Sequence, residues 1–346
     1  MFKFNFNVDC EAESGNEGLE VESTDPPLEW LPALRHEITN HHLPSSSDVD
    51  VVKVTVGTTK IKHLVESCAL KKLQEKGNSC NVSSVLQKHT DLVPAVYEGG
   101  LTIWECTWDL LQHLAGLDIC LKDKRVLELG CGAALPAIYC ALHGAHITVQ
   151  DYNEEVVNFI TIPNVAVNLH NSTTEEAATS TDVHLSQTLA SRATFYSGDW
   201  AAVNQLINQQ TCESSRGESI TDDVHDEGQK FDLILTSETI YNPSCHKKLL
   251  DLMTAHLKQD GIILLAAKTH YFGVGGGTQQ FVDLVKAQDQ LQVQSITSNN
   301  LVYQVKEKVL YHMPTVMPKN EQVQNEYMKN MKKRVSKLNP GHKSWM

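Results

Sequence analysis

Two glycines separated by a single residue stand between an apolar run and an aliphatic stretch. The strand-like run 126–129, apolar apart from Glu128, leads into Gly130 and Gly132, and residues 135–142 continue with helical spacing. Asp151 lies 21 residues after Gly130 and ends a second strand-like run. This order is typical of the first βαβ unit of a nucleoside-binding α/β domain. Glycines would let a ligand approach the backbone, and the Asp151 carboxylate would accept hydrogen bonds from ribose hydroxyls.

The glycine turn lacks the parts of a phosphate cradle. Dinucleotide sites use G-x-G-x-x-G, whereas this chain has E-x-G-x-G-x-A, with Ala134 in the last position. A Walker loop would end in Gly-Lys-Ser or Gly-Lys-Thr, and this one does not. S-adenosylmethionine (SAM), a nucleoside cofactor that carries an amino acid in place of phosphates, fits the pattern. The alternative is a strand–turn–helix that binds nothing.

Composition and charge limit the class of protein. A chain of 346 residues with 41% hydrophobic residues can bury a large core. The net charge of -13 argues against a protein that coats nucleic acid. Residues 1–50 hold 11 acids and two basic residues, whereas the chain from Met313 onward holds seven basic residues and two acids. The acidic head is the segment expected to meet a basic partner, with solvated tails as the alternative.

Cysteine usage predicts a reducing compartment. The nine cysteines include no C-x-x-C pair, which argues against a disulfide framework and against a metal site. Cys106, Cys120, Cys131 and Cys140 stand among apolar residues and are predicted to be buried. No apolar run has the length of a membrane span. We expect a monomeric protein of the cytoplasm and nucleus, with the nucleolus as one nuclear location.

Alternating strand-like and helical patterns predict a doubly wound α/β fold. The strand-like runs are 125–129, 146–150, 193–197, 231–237, 262–267, 291–297 and 302–312. The helical runs between them are 135–142, 154–168 and 246–257. A short polar turn at 298–300 joins the last two strand-like runs, so these are expected to pair as an antiparallel hairpin at one edge of a seven-strand sheet.

The chain is predicted to contain four segments. They are a largely disordered acidic head (1–50), an extension that packs on the core (51–93), the main α/β domain (94–312) and a basic tail (313–346). Within them, the apolar island 28–31 could dock on the domain, and run 51–56 could pair with residues 60–64. Two polar inserts, 171–187 and 209–229, are predicted to be surface loops.

Longer stretches carry a specific resemblance. They are YEGGLTIWECT (97–107), SETIYNP (237–243), HYFGVGGG (270–277) and FKFNF (2–6). Together they closely resemble the eukaryotic histidine protein methyltransferases of the methyltransferase-like group, over roughly residues 94–312 and the FKFNF start. The resemblance implies a seven-strand SAM-dependent methyltransferase sheet with an antiparallel edge hairpin. It also implies methyl transfer to a histidine of the third protein of the large ribosomal subunit. The chain departs at Ala134, where the family often has glycine, and the small methyl group is expected to leave cofactor binding intact.

The motif and the resemblance together imply a set of cofactor contacts. They are Ile103, Trp104, Glu105, Cys106, Thr107, Gly130, Gly132, Gln150, Asp151, Tyr152, Gly198, Asp199, Trp200 and Ser237. Trp104 would pack on the cofactor and Glu105 would accept from its amino group. Asp199 would accept from the adenine amine, with Trp200 near the ring face. The alternative for each is an ordinary structural role, which we favour for Trp108 because large aromatic side chains are mostly buried.

Methyl transfer to histidine places modest demands on the enzyme. Neutral imidazole is already a nucleophile near pH 7, so positioning matters more than a strong base. The ring nitrogen that is not methylated should donate its proton to an acceptor. The candidates for this acceptor or for the substrate wall are Glu238, Thr239, Tyr241 and Asn242. Residues 270–277 are predicted to shape the substrate site, with a plain turn as the alternative.

Two other functions remain open at this point. One is a protein lysine methyltransferase of the same fold, whose rate should rise more steeply with pH because lysine must lose a proton. The other is a module that keeps the cofactor fold but has lost catalysis. No direct contact with nucleic acid and none with a membrane is expected.

Overall fold

The fold is described by a computed structural model. It covers residues 29–39, 42, 50–76, 82, 92–169, 189–214, 229–295 and 309–315. The FKFNF start, insert 171–187, most of insert 209–229 and nearly all of the basic tail lie outside the described residues.

One sheet of eight strands forms the centre of the described part of the chain. Its order is β1-β6-β5-β4-β7-β8-β10-β9. The strands are β1 (Leu34–His36), β4 (Arg125–Leu129), β5 (His146–Asp151), β6 (Ala193–Ser197), β7 (Phe231–Ser237), β8 (Leu257–Lys268), β9 (Gln292–Ser295) and β10 (Val309–Thr315). All neighbours pair in parallel except β1 and β6. The predicted doubly wound sheet is therefore confirmed. The order in which the chain adds strands reverses between the parallel strands β4 and β7, which is where such sheets bind their ligands.

Helices cover the sheet and a separate hairpin packs beside it. The helices are α1 (Glu66–Lys76), α2 (Glu105–Gly116), α3 (Leu135–Leu142), α4 (Glu154–Val156, a π-helical turn Val157–Thr161, and Ile162–Leu169), α5 (Trp200–Ser214), α6 (His246–His256) and α7 (Thr278–Gln288). The hairpin joins β2 (Val51–Val56) to β3 (Thr59–Leu64) in antiparallel register, as the alternation predicts. Its apolar face, with Val54 and Ile61 buried, belongs to the same core as the residues of α3 and α4. The extension therefore helps to bury the first βαβ unit.

The predicted antiparallel edge hairpin is wrong. β10 lies between β8 and β9 and runs parallel to both. The prediction began the last strand at Val302, which left only a short turn, whereas β10 begins at Val309. Thirteen residues, 296–308, therefore separate it from β9. A parallel pair needs a crossover of about a dozen residues or more, and this connection is long enough.

The antiparallel strand lies at the opposite edge of the sheet and comes from the acidic head. β1 pairs with β6 so that Leu34 faces Ser197. Just before it, the backbone N–H of Leu31 donates to the Tyr152 hydroxyl at 3.1 Å. The apolar island at 28–31 therefore does dock, in its described residues. Strand β1 was not predicted, because three residues are too few to show an alternation.

Three further details differ from the sequence-based expectation. Helix α5 continues through residue 214 into the insert that was predicted as a loop from 209. Helices α1, α5 and α7 were not predicted. Cys120 is exposed, whereas Cys106, Cys131 and Cys140 are buried, because Cys120 lies in the connection between α2 and β4. Among the described residues, no helix is both long and apolar enough to cross a membrane.

Candidate active site

The glycine turn after β4 has left-handed backbone geometry, which favours glycine. Gly130, Gly132 and Ala134 have φ of 61°, 47° and 56°. A β-carbon on Gly132 would lie 2.8 Å from the carbonyl oxygen of Gly100. Glycine is therefore required at 132 both for its φ and for space. Ala134 adopts the left-handed conformation while fully buried, which explains why glycine would suit that position.

Asp151 ties this turn to the end of β5. Its Oδ2 accepts from the Gly132 backbone N–H at 2.8 Å, and its Oδ1 accepts more weakly from the Asn153 N–H at 3.4 Å. Burial raises the pKa of Asp151 to about 6, although the backbone hydrogen bonds act to lower it. The predicted ribose acceptor thus already holds the turn with one oxygen. Its other oxygen is the one with capacity left for a ligand.

Gln150 connects the glycine turn to the end of β6 and to the start of α5. Its Oε1 accepts from the Trp200 indole N–H at 2.8 Å and from the Gly130 N–H at 3.3 Å. Its Nε2 donates to the Gly198 carbonyl at 2.9 Å. The side chain is buried, so these bonds replace the water that the amide would otherwise bind. Gln150 thereby fixes Trp200 at the cleft wall.

The facing wall comes from the segment before α2. Gly100 approaches so closely that a β-carbon there would lie 2.8 Å from Asp151 Oδ1. The indole N–H of Trp104 donates to the carbonyl of Gly99 at 3.1 Å. Trp104 is therefore held with its ring at the cleft instead of in the core. The close contact between the two walls explains the glycine at position 100 of the YEGG stretch.

A third wall comes from the acidic head. The Lys248 ammonium lies 3.7 Å from the centre of the Trp30 ring and 2.8 Å from Asp199 Oδ1. Asp199 Oδ2 also accepts from the Ala201 N–H at 3.0 Å, in the first turn of α5. Trp30 is fixed further by an edge-on contact with Tyr152, whose ring centre lies 6.1 Å away. These contacts place an indole over the end of the cleft where the adenine was expected.

The far end of the cleft begins where β7 ends. Glu238 has a φ of 57°, an uncommon conformation for a residue with a side chain. Its Oε2 accepts from the Tyr271 hydroxyl at 2.5 Å, and its Oε1 lies 3.7 Å from the Lys268 ammonium. Burial lowers the pKa of Lys268, but Glu238 and Glu105 outweigh it, so the net pKa is raised. Lys268 therefore stays charged between two carboxylates.

Tyr241 and Glu98 form a second pair of tyrosine and glutamate at this end. The Tyr241 hydroxyl donates to Glu98 Oε2, and the Ala95 N–H donates to Glu98 Oε1 at 2.8 Å. Burial raises the pKa of Glu98, while the bond from Tyr241 lowers it in part. Burial and the adjacent carboxylate raise the pKa of Tyr241 well above its usual range, so the phenol keeps its proton.

These walls enclose a single cleft at the carboxyl ends of β4, β5, β6 and β7. The empty space of this cleft, including the part open to solvent, is about 770 Å³. The residues fit SAM in type. They offer two glycines with positive φ, a buried carboxylate at the end of β5 and indole rings for an adenine. The described residues contain no cluster of His, Cys, Asp or Glu able to hold a metal ion.

A family model described as a methyltransferase domain matches residues 105–299. This chain belongs to that methyltransferase family. The predicted SAM cofactor is thereby confirmed at the level of the family.

Curated relatives of this methyltransferase agree with the resemblance found in the sequence. It is 41% identical over 207 residues to the histidine protein methyltransferase 1 homolog of Dictyostelium discoideum, which covers 60% of this chain and 55% of that protein. The mouse homolog of the same name is 33% identical over 266 residues, which cover 74% of this chain and 68% of the mouse protein. A protein N-terminal and lysine N-methyltransferase, EFM7 of Cryptococcus neoformans, is 28% identical over 160 residues, 46% of this chain and 43% of that protein. The chain thus spans about half the length of the Dictyostelium relative.

Most residues predicted for the site do line the cleft of this methyltransferase domain. They are Ile103, Trp104, Thr107, Gly130, Gly132, Gln150, Asp151, Tyr152, Gly198, Asp199, Trp200, Ser237, Glu238, Thr239 and Tyr241. Thr107 and Ser237 share a hydrogen bond of 3.0 Å across the cleft floor. Their roles toward a ligand stay predictions, since the placement alone does not test them.

Three predicted residues do not line the cleft. Glu105 pairs with Lys268 at 3.1 Å, because it is the first residue of α2 and points toward the end of β8. Cys106 is fully buried in the core face of α2. Asn242 accepts from the Ser244 N–H at 3.1 Å and so caps the short 3₁₀ turn that precedes α6.

Three residues of the cleft walls were missed from the sequence: Glu98 and Trp30, which line the cleft, and Lys248, which contacts Trp30 without lining the cleft itself. Glu98 stood in the YEGG stretch, but its chemistry was not considered. Trp30 belonged to the apolar island, which gave a reason for docking and none for a role at the site. Lys248 gave no signal, because it is one lysine on a helix whose partners Trp30 and Asp199 lie far away in the chain.

Proposed function

We propose that this protein is a SAM-dependent protein histidine N-methyltransferase. The observation that carries the proposal is the similarity of the cleft-forming part of the chain to proteins named histidine protein methyltransferase 1. The stretches of sequence that build the cleft walls, 97–107 and 237–243, are those on which the resemblance rests.

The side chains of the cleft suit an acceptor that is already neutral. When bound, SAM supplies an electrophilic methyl group. The described residues do the rest: the glycine turn and Asp151 hold one end of the ligand, and Trp30, Trp104 and Trp200 restrict its rings. At the other end, Glu238 and Tyr241 border the space left for a substrate side chain. Effective catalysis by such an arrangement comes mainly from positioning.

The finer parts of the proposal concern the substrate and the cell. We expect methylation of the imidazole nitrogen remote from the side-chain attachment, the tele nitrogen. The proposed target is a histidine of the third large-subunit ribosomal protein, and the resemblance described above supports it. The acidic head, with 11 acids and two basic residues in 1–50, has the charge to meet a basic ribosomal protein. A monomer in the cytoplasm and nucleus is proposed on the same basis.

A protein lysine methyltransferase is the second candidate function. It is favoured by the similarity to EFM7 of Cryptococcus neoformans, a protein N-terminal and lysine N-methyltransferase. The two candidates differ in pH dependence. A lysine acceptor must lose a proton, so its rate should keep rising toward pH 10, whereas an imidazole acceptor is neutral above about pH 7.

The test is to incubate the purified full chain with methyl-labelled SAM and the ribosomal protein, then to locate the label by peptide mass analysis. Label on a histidine, at the tele nitrogen by fragmentation or NMR, is the expected result. Label confined to lysine would establish the second candidate. Measurable binding of SAM with no label on any protein of a ribosomal extract would point to a non-catalytic module.

A further inference from the structure

Four side chains after β7 were predicted as candidates to accept the ring proton of the target imidazole. They are Glu238, Thr239, Tyr241 and Asn242. Such an acceptor needs a free lone pair directed at the cleft. It should also carry or contact negative charge, because the ring becomes cationic as it gains a methyl group. The bonds that each side chain already makes separate the four.

The carboxylate of Glu238 is already occupied. Tyr271 donates to one of its oxygens at 2.5 Å, and the Cys106 N–H donates to the other at 3.4 Å. The ammonium of Lys268, 3.7 Å away, compensates its charge. Glu238 therefore has little negative charge to offer a second cation.

The two neutral candidates lack a carboxylate behind them. Thr239 shares a hydrogen bond of 2.7 Å with Thr236, and Asn242 accepts two bonds from Ser244, from its N–H at 3.1 Å and its hydroxyl at 2.8 Å. Asn242 is in addition absent from the cleft lining. Neither residue can stabilise a developing imidazolium by charge.

Tyr241 differs from all three. A phenol has one proton, and that of Tyr241 goes to Glu98. Toward any further partner, the Tyr241 oxygen can then act only as an acceptor. Glu98 cannot turn away, because its other oxygen is held by the Ala95 N–H at 2.8 Å. Both side chains line the cleft.

Among the described residues, none forms a direct ion pair with the Glu98 carboxylate. Lys248 acts on it at longer range, but the Lys248 ammonium is 2.8 Å from Asp199. Asp199 and Asp151 add negative charge near Glu98. The other titratable groups that face it are Tyr241, Tyr152 and Cys245.

We propose that Glu98 is the residue that positions the acceptor. It holds the Tyr241 proton and so presents the Tyr241 oxygen to the ring N–H of the target histidine. This would select the tautomer whose opposite nitrogen is free to attack. The inference rests on the proposed function and names the group behind its substrate selectivity.

The proton balance of this arrangement is complete. The attacking nitrogen would supply the electron pair of the new N–C bond, while the methyl–sulfur bond of the sulfonium breaks and its electron pair stays on sulfur, which leaves as a neutral thioether. The ring would become a methylimidazolium. Its remaining N–H proton passes to the Tyr241 oxygen as the Tyr241 proton passes to Glu98. Tyr241 is neutral before and after, the product ring is neutral, and Glu98 ends as a carboxylic acid that releases its proton to water.

Glu98→Gln is a sharp test because it reverses the Tyr241 hydroxyl. The glutamine oxygen can still accept from the Ala95 N–H, which leaves an NH₂ group to face Tyr241. The phenol must then accept from that NH₂ and point its own proton into the cleft, where it opposes the substrate N–H. We expect kcat for a histidine peptide to fall at least tenfold, on the order of the loss for one such hydrogen bond. The dissociation constant of SAM and the unfolding midpoint should stay near the wild-type values.

The experiment compares kcat and KM against pH for wild type, Glu98→Gln, Tyr241→Phe and the double variant, with exposed Glu154→Gln as control. Wild type and the control should lose kcat toward low pH with a limiting slope of two in log kcat, because both the ring and Glu98 must be deprotonated. Glu98→Gln should show a slope of one, and the double variant should be no slower than the slower single variant.

Three results would each overturn the inference. They are a wild-type kcat in Glu98→Gln, a slope of log kcat against pH in Glu98→Gln that equals the wild-type slope, and a loss of kcat in the double variant that equals the product of the two single losses. If the wild-type protein labels no histidine at all, the proposed function fails first, and this inference fails with it.

Discussion

At the scale of single residues, the site depends on close approaches of backbone that no larger residue would allow. Gly100, Gly130 and Gly132 bring the two walls of the cleft together, and each would bring a β-carbon within 3.0 Å of another atom. These close approaches explain the two glycines of the turn after β4 and Gly100 of the YEGG stretch. Cofactor affinity should therefore be sensitive to a single methyl group at the turn.

Gly132→Ala should weaken SAM binding about tenfold or more. The added β-carbon meets the Gly100 carbonyl at 2.8 Å, and the φ of 47° adds strain of roughly 1–2 kcal/mol. Titration calorimetry would measure the dissociation constant. Gly116→Ala is the matched control, because a β-carbon there meets nothing within 4 Å. Equal affinity of the two variants would contradict this account of the turn.

At the scale of elements, the least expected finding is the use of the acidic head as an edge strand. β1 adds to β6, and the residues before it carry Trp30 over the cleft. The family match begins only at residue 105, so this wall lies outside the matched range. The Lys248 ammonium between Trp30 and Asp199 connects the head to helix α6.

Trp30→Ala should raise the dissociation constant of SAM by a factor of about 5, since an aromatic contact at a ligand contributes about 1 kcal/mol. The same titration would measure it. Leu34→Ala serves as the control, because Leu34 is on the same segment but is 45% exposed. A Trp30→Ala variant that bound SAM as tightly as Leu34→Ala would show that the indole only stabilises the strand.

At the scale of the whole molecule, stability should depend on a buried acid. Glu128 is fully buried in β4 and accepts from the Ala137 N–H at 2.7 Å, at the first turn of α3. Burial raises its pKa from 4.5 to about 8. Between these values the folded state keeps a proton that the unfolded state has lost. Stability should therefore fall as pH rises through this window.

Between pH 7 and pH 8, we expect this fall to be about 1 kcal/mol in the free energy of unfolding. Asp151, with a pKa of about 6, contributes in the same direction but mainly at lower pH. Urea unfolding at several pH values would measure the effect. Glu128→Gln should flatten the dependence, whereas exposed Glu154→Gln should keep it. A dependence that survived in Glu128→Gln would rule out Glu128 as its source.

The sequence by itself determined the local framework of this protein. Strand β4, helix α3 and the glycines between them have the predicted bounds, because their signals come from consecutive residues and from the φ that glycine permits. The first and last residues of strands β6 and β7 were likewise predicted correctly. Most of the cleft could be predicted because it lies at the ends of those strands.

Only the tertiary structure decided which distant side chains meet. Tyr241 and Glu98 are 143 residues apart, and Lys248 and Asp199 are 49 apart, so no local pattern relates them. The direction of β10 was also a tertiary matter, because the length of its connection allowed a crossover that the apolar pattern could not show. Local order follows from short-range sterics and periodicity. The charge and hydrogen-bond partners that give the cleft its chemistry follow from the packing of the whole chain.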